Sequence, residues 1–162
     1  MQSAVQALKS NLSWDEYFMN IAILTSLRSK DANTKVGSVL VDRLNRVVGT
    51  GYNGLPTGID ESLFPTARIG KNISEVKYAY VIHSEANCIL NSTVYDISGS
   101  RLYVTLHPCN ECAKLILQKR ISEVIYLSDK YHDEPAYVAS RKLFNAANVV
   151  TRKYEGTLLF DV

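Results

Sequence analysis

His83-Ser84-Glu85 and, further along, Pro108-Cys109-Asn110-Glu111-Cys112 supply one imidazole, two thiols and a carboxylate in a spacing that could hold and use a metal ion. An imidazole and two thiolates make three zinc ligands, which leave the fourth position for a reacting water, whereas a structural zinc site normally closes with four protein ligands. Glu85 lies two residues from His83. At the start of a helix that offset turns its carboxylate away from direct ligation and toward the water, where it could move protons. Two other uses of the same residues stay open. A Cys-x-x-Cys pair alone serves redox chemistry or structural zinc, but the first leaves His83 and Glu85 without a task and the second lacks a fourth ligand. The remaining cysteine, Cys88, lies five positions after His83, so a helix turns it away from the His83 direction and it reads as a small buried side chain.

The elements that must position these groups follow from hydrophobic period. Ser13-Trp14-Asp15-Glu16 is a capping box, and Phe18, Ile21, Ala22, Leu24, Thr25 and Leu27 form the apolar stripe of a helix over 14–29. Residues 36–41 and 47–52 are β-branched runs around the polar Asp42-Arg43-Leu44-Asn45, which predicts an antiparallel hairpin. An irregular stretch over 53–81 contains Gly54, Pro56, Gly58, Pro65 and Gly70. A connection this long in a compact domain is either a functional segment or a linker. Helix and strand then alternate: helix 84–92, strand 101–105, helix 109–119, strand 123–128, helix 134–147 and strand 149–154. The pattern predicts an α/β fold, three layers α/β/α around a mixed five-stranded sheet, in one domain spanning 1–162. His83 and Cys109 would each open a helix, where the positive end of the dipole favours thiolate over thiol. Pro108 starts the second helix, and the three-residue spacing of Cys109 and Cys112 puts both sulfurs on one side of its first turn.

Composition limits the partners. The chain has 162 residues, 46% of them hydrophobic, enough for a substantial core. Eighteen Lys and Arg stand against 16 Asp and Glu, a net charge of +2, which gives no electrostatic case for wrapping a long nucleic acid but leaves room for a small anionic ligand. Residues 1–12 hold no basic segment followed by an apolar run, and no stretch approaches the ~18 apolar residues of a membrane span. The expectation is a soluble protein of the cytoplasm or another intracellular compartment, and three cysteines suit a reducing environment better than a disulfide framework.

Beyond the metal motif, the chain closely resembles the deoxycytidylate (dCMP) deaminases over most of residues 13–153. The resemblance rests on Ser13-Trp14, Arg28-Ser29-Lys30-Asp31, Val36-Gly37, Gly51-Tyr52-Asn53-Gly54-Leu55-Pro56, the His83 and Cys109 motifs and Ser128-Asp129-Lys130-Tyr131-His132-Asp133. The pattern H-x-E…P-C-x-x-C marks the zinc deaminases as a superfamily, and the Gly51 and Ser128 segments narrow it to dCMP. The resemblance implies a cytidine deaminase-like fold and hydrolysis of dCMP to dUMP and ammonia, a precursor supply for dTMP. Zinc would lower the pKa of its water toward about 7. Glu85 would take that proton, protonate N3 of cytosine and carry a second proton to the leaving amine.

Further expectations come from the same resemblance. Asn53 would contact the sugar, or else form an Asn-Gly turn. Tyr131 and His132 would face the nucleotide and its phosphate, or lie in an exposed loop. Arg28, Lys35 and Lys130 could provide positive charge for the phosphate, or be solvated surface charges; Arg28 ranks first because its segment matches the family. Many relatives are homohexamers activated by dCTP with Mg2+ and inhibited by dTTP, with an effector site that involves Gly51, Tyr52, Asn53 and Gly54. No Cys or His occurs between Tyr52 and Ile82, where some relatives carry a second zinc site, so one Zn2+ per chain is expected. Residues 64–68 also lack the Pro-Trp often found there, which bears on effector preference. Three alternatives remain: a deaminase acting also on dCTP or on methylated or hydroxymethylated dCMP, a polynucleotide deaminase, or a non-catalytic zinc-binding assembly subunit. The absence of a basic stripe weighs against the second, and Glu85 against the third.

Overall fold

Val39, Leu40 and Val41 are all fully buried, a continuous apolar run of the kind that forms when a strand has helices on both faces. In a computed structural model, residues 11–160 are described, so the 1–12 segment searched for a leader lies almost entirely outside them. The strands are β1 (Gly37–Val41), β2 (Val47–Tyr52), β3 (Arg101–Leu106), β4 (Glu123–Ser128) and β5 (Val150–Lys153). The helices among the described residues are α1 (Trp14–Ser26), α2 (Ser84–Leu90), α3 (Asn110–Gln118) and α4 (Pro135–Ala146). The sheet runs β2-β1-β3-β4-β5. β1 is antiparallel to both β2 and β3, while β3, β4 and β5 are parallel, which gives the mixed five-stranded sheet expected. None of these helices is long and apolar enough to cross a membrane.

Strand alternation sends side chains to two cores. Leu40, Leu102, Val104 and Val124 pack with Cys88 of α2, Ala113 and Ile116 of α3 and Phe144 of α4. Val39, Val41, Tyr103 and Ile125 point the other way and pack with Phe18, Met19, Ala22 and Ile23 of α1. Cys88 is thus the buried apolar side chain anticipated.

The first helix departs from expectation in stripe and end. Leu24 and Leu27 are about half exposed, and Met19 and Ile23 are buried in their place, because the stripe that meets the sheet steps through 18, 19, 22, 23 and 26 rather than leaning toward 24 and 27. The helix stops at Ser26, three residues early. Leu27, Arg28 and Ser29 donate to Leu24, Thr25 and Ser26 respectively, the tightened i to i−3 bonds of a closing turn. α2 also ends early, at Leu90. The other elements agree with expectation to within a residue or so at each end.

The 53–81 segment is no free linker. It contains three short 3₁₀ turns (Glu61–Leu63, Ile73–Glu75, Lys77–Ala79) and is tied at its ends by a bridge between Gly54 and Ile82. Its Lys77 ammonium pairs with Asp31, both side chains only 10% exposed.

Candidate metal centre and its cavity

His83 is the N-cap of α2 and Cys109 the N-cap of α3, with Cys112 in the first turn of the latter. β3 ends at Leu106, so its carboxyl end delivers His107, Pro108 and Cys109 to the site, and the carboxyl end of parallel β4 lies beside it through a 2.8 Å bond from His107 N to Ser128 O. Sites in open α/β sheets form at such strand ends. The Nδ1 of His83 lies 3.4 Å from Cys109 Sγ and 3.5 Å from Cys112 Sγ, and the three donor atoms all fall within 4.8 Å of one another. Zn–S bonds of about 2.3 Å and Zn–N bonds of about 2.0–2.1 Å at a tetrahedral angle put nitrogen about 3.5 Å from each sulfur. The distances from His83 to the two cysteines therefore fit zinc.

The electrostatics agree with that fit. Cys109 is pushed down to about 4, first by a hydrogen bond from the Cys112 thiol and then by His83, against the opposing effect of burial. Its contact with Cys109 raises His83 to about 9 despite burial. Donation to Cys109, with burial, holds the Cys112 thiol well above its ordinary value. Two sulfurs and an imidazole packed this closely need shared positive charge, supplied by protons or by a divalent cation that displaces them.

Glu85, in the first turn of α2, is 4% exposed. Burial pushes its carboxyl up, countered in part by His83 and by the Ser84 hydroxyl. That hydroxyl donates to Glu85 Oε2 at 3.0 Å and lies 2.7 Å from the hydroxyl of Ser38 on β1. α2 is seated on β2 by close approach: a Cβ at Gly51 would sit 2.2 Å from Cys88 N and 2.3 Å from Ser84 O. Asn87 Nδ2 adds a 2.8 Å bond to Tyr52 O.

The donors and Glu85 face a cavity of about 570 Å³, within the size of small-ligand sites. His107 and Tyr137 form part of its wall, their rings 6.5 Å apart, and Tyr131 continues it 5.6 Å from Tyr137. His107 Nδ1 is 3.0 Å from Pro108 O, which makes Nδ1 the protonated nitrogen, and burial lowers its pKa so that the ring stays neutral. Arg68 enters the same cavity, its Nε donating to Tyr78 Oη at 2.8 Å.

The other expected residues divide. Asn53 is buried and lines this cavity, but its side chain ties down the approach to β1: Oδ1 accepts from Val36 N at 2.8 Å and Nδ2 donates to Thr34 O at 3.0 Å. Tyr131 lies 3.4 Å from the Thr34 hydroxyl, which the Lys130 ammonium also approaches at 3.4 Å. His132 is exposed and pairs with Asp133 at 3.0 Å. Lys35 is exposed and lines neither cavity. Arg28, Tyr52 and Gly54 line a second cavity of about 280 Å³, whose wall shares Asp31, Asn53, Lys77 and Val81 with the first. Sequence reading did not single out His107, Tyr137 or Arg68. His107 directly precedes Pro108 and so had a positional signal, whereas Arg68 and Tyr137 had none.

Comparison with known proteins agrees with this site. Residues 12–128 match the family model for the cytidine and deoxycytidylate deaminase zinc-binding region. The chain is 50% identical to human deoxycytidylate deaminase over 143 residues, 88% of this chain and 80% of that protein. It is 48% identical to a probable deoxycytidylate deaminase of Drosophila melanogaster over 151 residues, 90% of this chain and 74% of that one. In fold it is similar to the dCMP deaminase of cyanophage S-TIM5, solved in complex with dCMP and dUMP, with a TM-score of 0.71 at 24% identity, covering 90% of this chain and 99% of that one.

Proposed function

The chain belongs to the cytidine and deoxycytidylate deaminase family, and from that premise we propose that it hydrolyses dCMP to dUMP and ammonia. The observation that carries the reading is the meeting of His83, Cys109 and Cys112 within 4.8 Å in the cavity that also receives Glu85. Those three residues would hold one zinc ion per chain, and the ion would supply the Lewis acidity that makes water a nucleophile at neutral pH. Glu85 takes one proton of the water as its oxygen bonds to C4, gives that proton to N3 of cytosine, and then carries the remaining proton of the new C4 hydroxyl to the exocyclic amine, whose bond to C4 breaks to release ammonia. Burial pushes its carboxyl up, which suits a carboxylate that must first take a proton and then hand it on. His107 and Tyr137 close the side of the cavity against water, and Arg68, Tyr131 and Lys130 offer charge and hydroxyl groups to the phosphate.

The finer features belong to the same proposal: one deaminase domain over 1–162, a soluble intracellular location, a homohexamer, activation by dCTP with Mg2+ and inhibition by dTTP. Support for an effector site comes from the second cavity, where Arg28 and the 52–54 segment meet. In this arrangement Arg28 belongs with the effector and Arg68 with the substrate. The test is ammonia release from deoxycytidine, dCMP and dCTP by zinc-loaded protein, with and without dCTP and Mg2+ as effector. Strong preference for dCMP is expected; equal rates on all three, or none, would overturn the reading.

A further inference from the structure

Ser38 interrupts an otherwise apolar inner strand, and its hydroxyl, like that of Ser84, is fully buried. A buried hydroxyl is tolerated only when hydrogen-bonded, and the two satisfy one another at 2.7 Å. The pairing does not end there. Ser84 donates its proton to Glu85 Oε2 at 3.0 Å, so Ser38 must donate to Ser84, and the chain Ser38–Ser84–Glu85 runs in one direction from β1 to the carboxylate. Each link strengthens the next. Ser38 sits on an inner strand, paired through β1 with both β2 and β3, whereas Glu85 projects from a seven-residue helix.

We propose that Ser84, braced by Ser38, is a positioning residue that anchors one oxygen of Glu85 and leaves the other to carry protons between water and base. The inference rests on the assignment of proton transfer to Glu85. A carboxylate that must meet first a water and then N3 gains from having one oxygen fixed, because misplacement of a catalytic group raises the barrier without changing substrate binding.

The test uses zinc-loaded protein with dCMP. Ser84→Ala is expected to lower kcat about tenfold, the scale of one lost hydrogen bond to a charged group, with KM and zinc content unchanged. Ser38→Ala is expected to give a smaller loss, because Ser84 keeps its bond to Oε2 but loses its brace. If the orphaned Ser38 hydroxyl prevents folding of Ser84→Ala, the double variant Ser38→Ala/Ser84→Ala removes both hydroxyls, leaves neither hydroxyl unpaired, frees Glu85 Oε2 as Ser84→Ala does, and should show the same tenfold kcat loss. In a Glu85→Gln background the Ser84 change should add nothing. Wild-type kcat in both Ser84 variants, a KM that rises as kcat falls, or an equal proportional loss in the Glu85→Gln background would overturn the positioning role while leaving the Glu85 assignment standing. Near-normal turnover of Glu85→Gln itself would overturn both.

Discussion

Gly51 is the position where one methyl group should separate packing from catalysis most clearly. A Cβ there would lie 2.2 Å from Cys88 N and 2.3 Å from Ser84 O, both backbone atoms, whereas non-bonded carbon contacts settle near 3.5 Å or more. Neither atom belongs to a side chain that can turn aside. Gly51→Ala therefore requires α2 to move away from β2 by about 1 Å, an overpacking that costs about 1–3 kcal/mol. For a chain of 162 residues that lowers Tm by roughly 2–12 °C. The same movement carries His83 away from Cys109 and Cys112 and shifts Glu85 relative to substrate, and a misplacement near 1 Å costs about a hundredfold in rate. The assay pairs thermal unfolding of zinc-loaded protein with kcat for dCMP and metal content after dialysis. A drop in kcat far beyond what the unfolded fraction explains, together with weaker zinc retention, is expected. Wild-type Tm and wild-type kcat would show that α2 is not clamped on β2 as described. The predicted effect needs no effector, so it also separates the packing role of Gly51 from any part in regulation.

Other perturbations follow from the same structure. Zinc held by this donor set would link α2 to α3 through residues 26 positions apart in the chain, so chelation should lower Tm and one equivalent of zinc should restore it; an unchanged Tm in demonstrably metal-free protein would contradict the donor set. Burial pushes Asp31 up, but Lys77 and the amides of Asn33 and Thr34 outweigh it and hold the carboxyl below its ordinary value. A depressed folded pKa gives stability that is present above the unfolded value of about 3.9 and lost as pH falls through the lower folded value. Urea midpoints measured from pH 7 to 3 should therefore fall more steeply for wild type than for Lys77→Met, and parallel curves would remove the pair from the stability account. Arg68→Gln should raise KM for dCMP about tenfold or more while leaving deoxycytidine turnover little changed, and equal effects on both substrates would take Arg68 out of phosphate binding.

The sheet and the metal donors were legible because local rules and tertiary demands agree there. Ser13 and Glu16 form the capping box that the four-residue pattern announces, the 123–128 strand has the predicted bounds, and Cys-x-x-Cys on a first helical turn has little freedom in where its sulfurs go. The stripe of α1 was misread because Leu24 and Leu27 are apolar yet face outward, and hydrophobicity alone does not say which flank of a helix meets the sheet. Arg68 and Tyr137 were illegible for a different reason. They reach the cavity from a loop and from the fourth helix, and no local period encodes that convergence. Arg28 stood in a family-matching segment, but the turn that closes α1 at Ser26 carries it to the second cavity.

The wall shared by the two cavities governs how mutational data on this protein must be sorted. Asp31, Asn53, Lys77 and Val81 border both spaces, and Asn53 and the Asp31–Lys77 pair also brace the backbone between α1 and β1. A substitution at any of the four alters two volumes together, so a changed response to one nucleotide there cannot be credited to one compartment. Clean dissection belongs to residues confined to a single side, Arg68 and Tyr137 for one and Arg28 and Leu55 for the other. A library built on those four positions would tune the two spaces independently, whereas one built on the wall would select compromises between them.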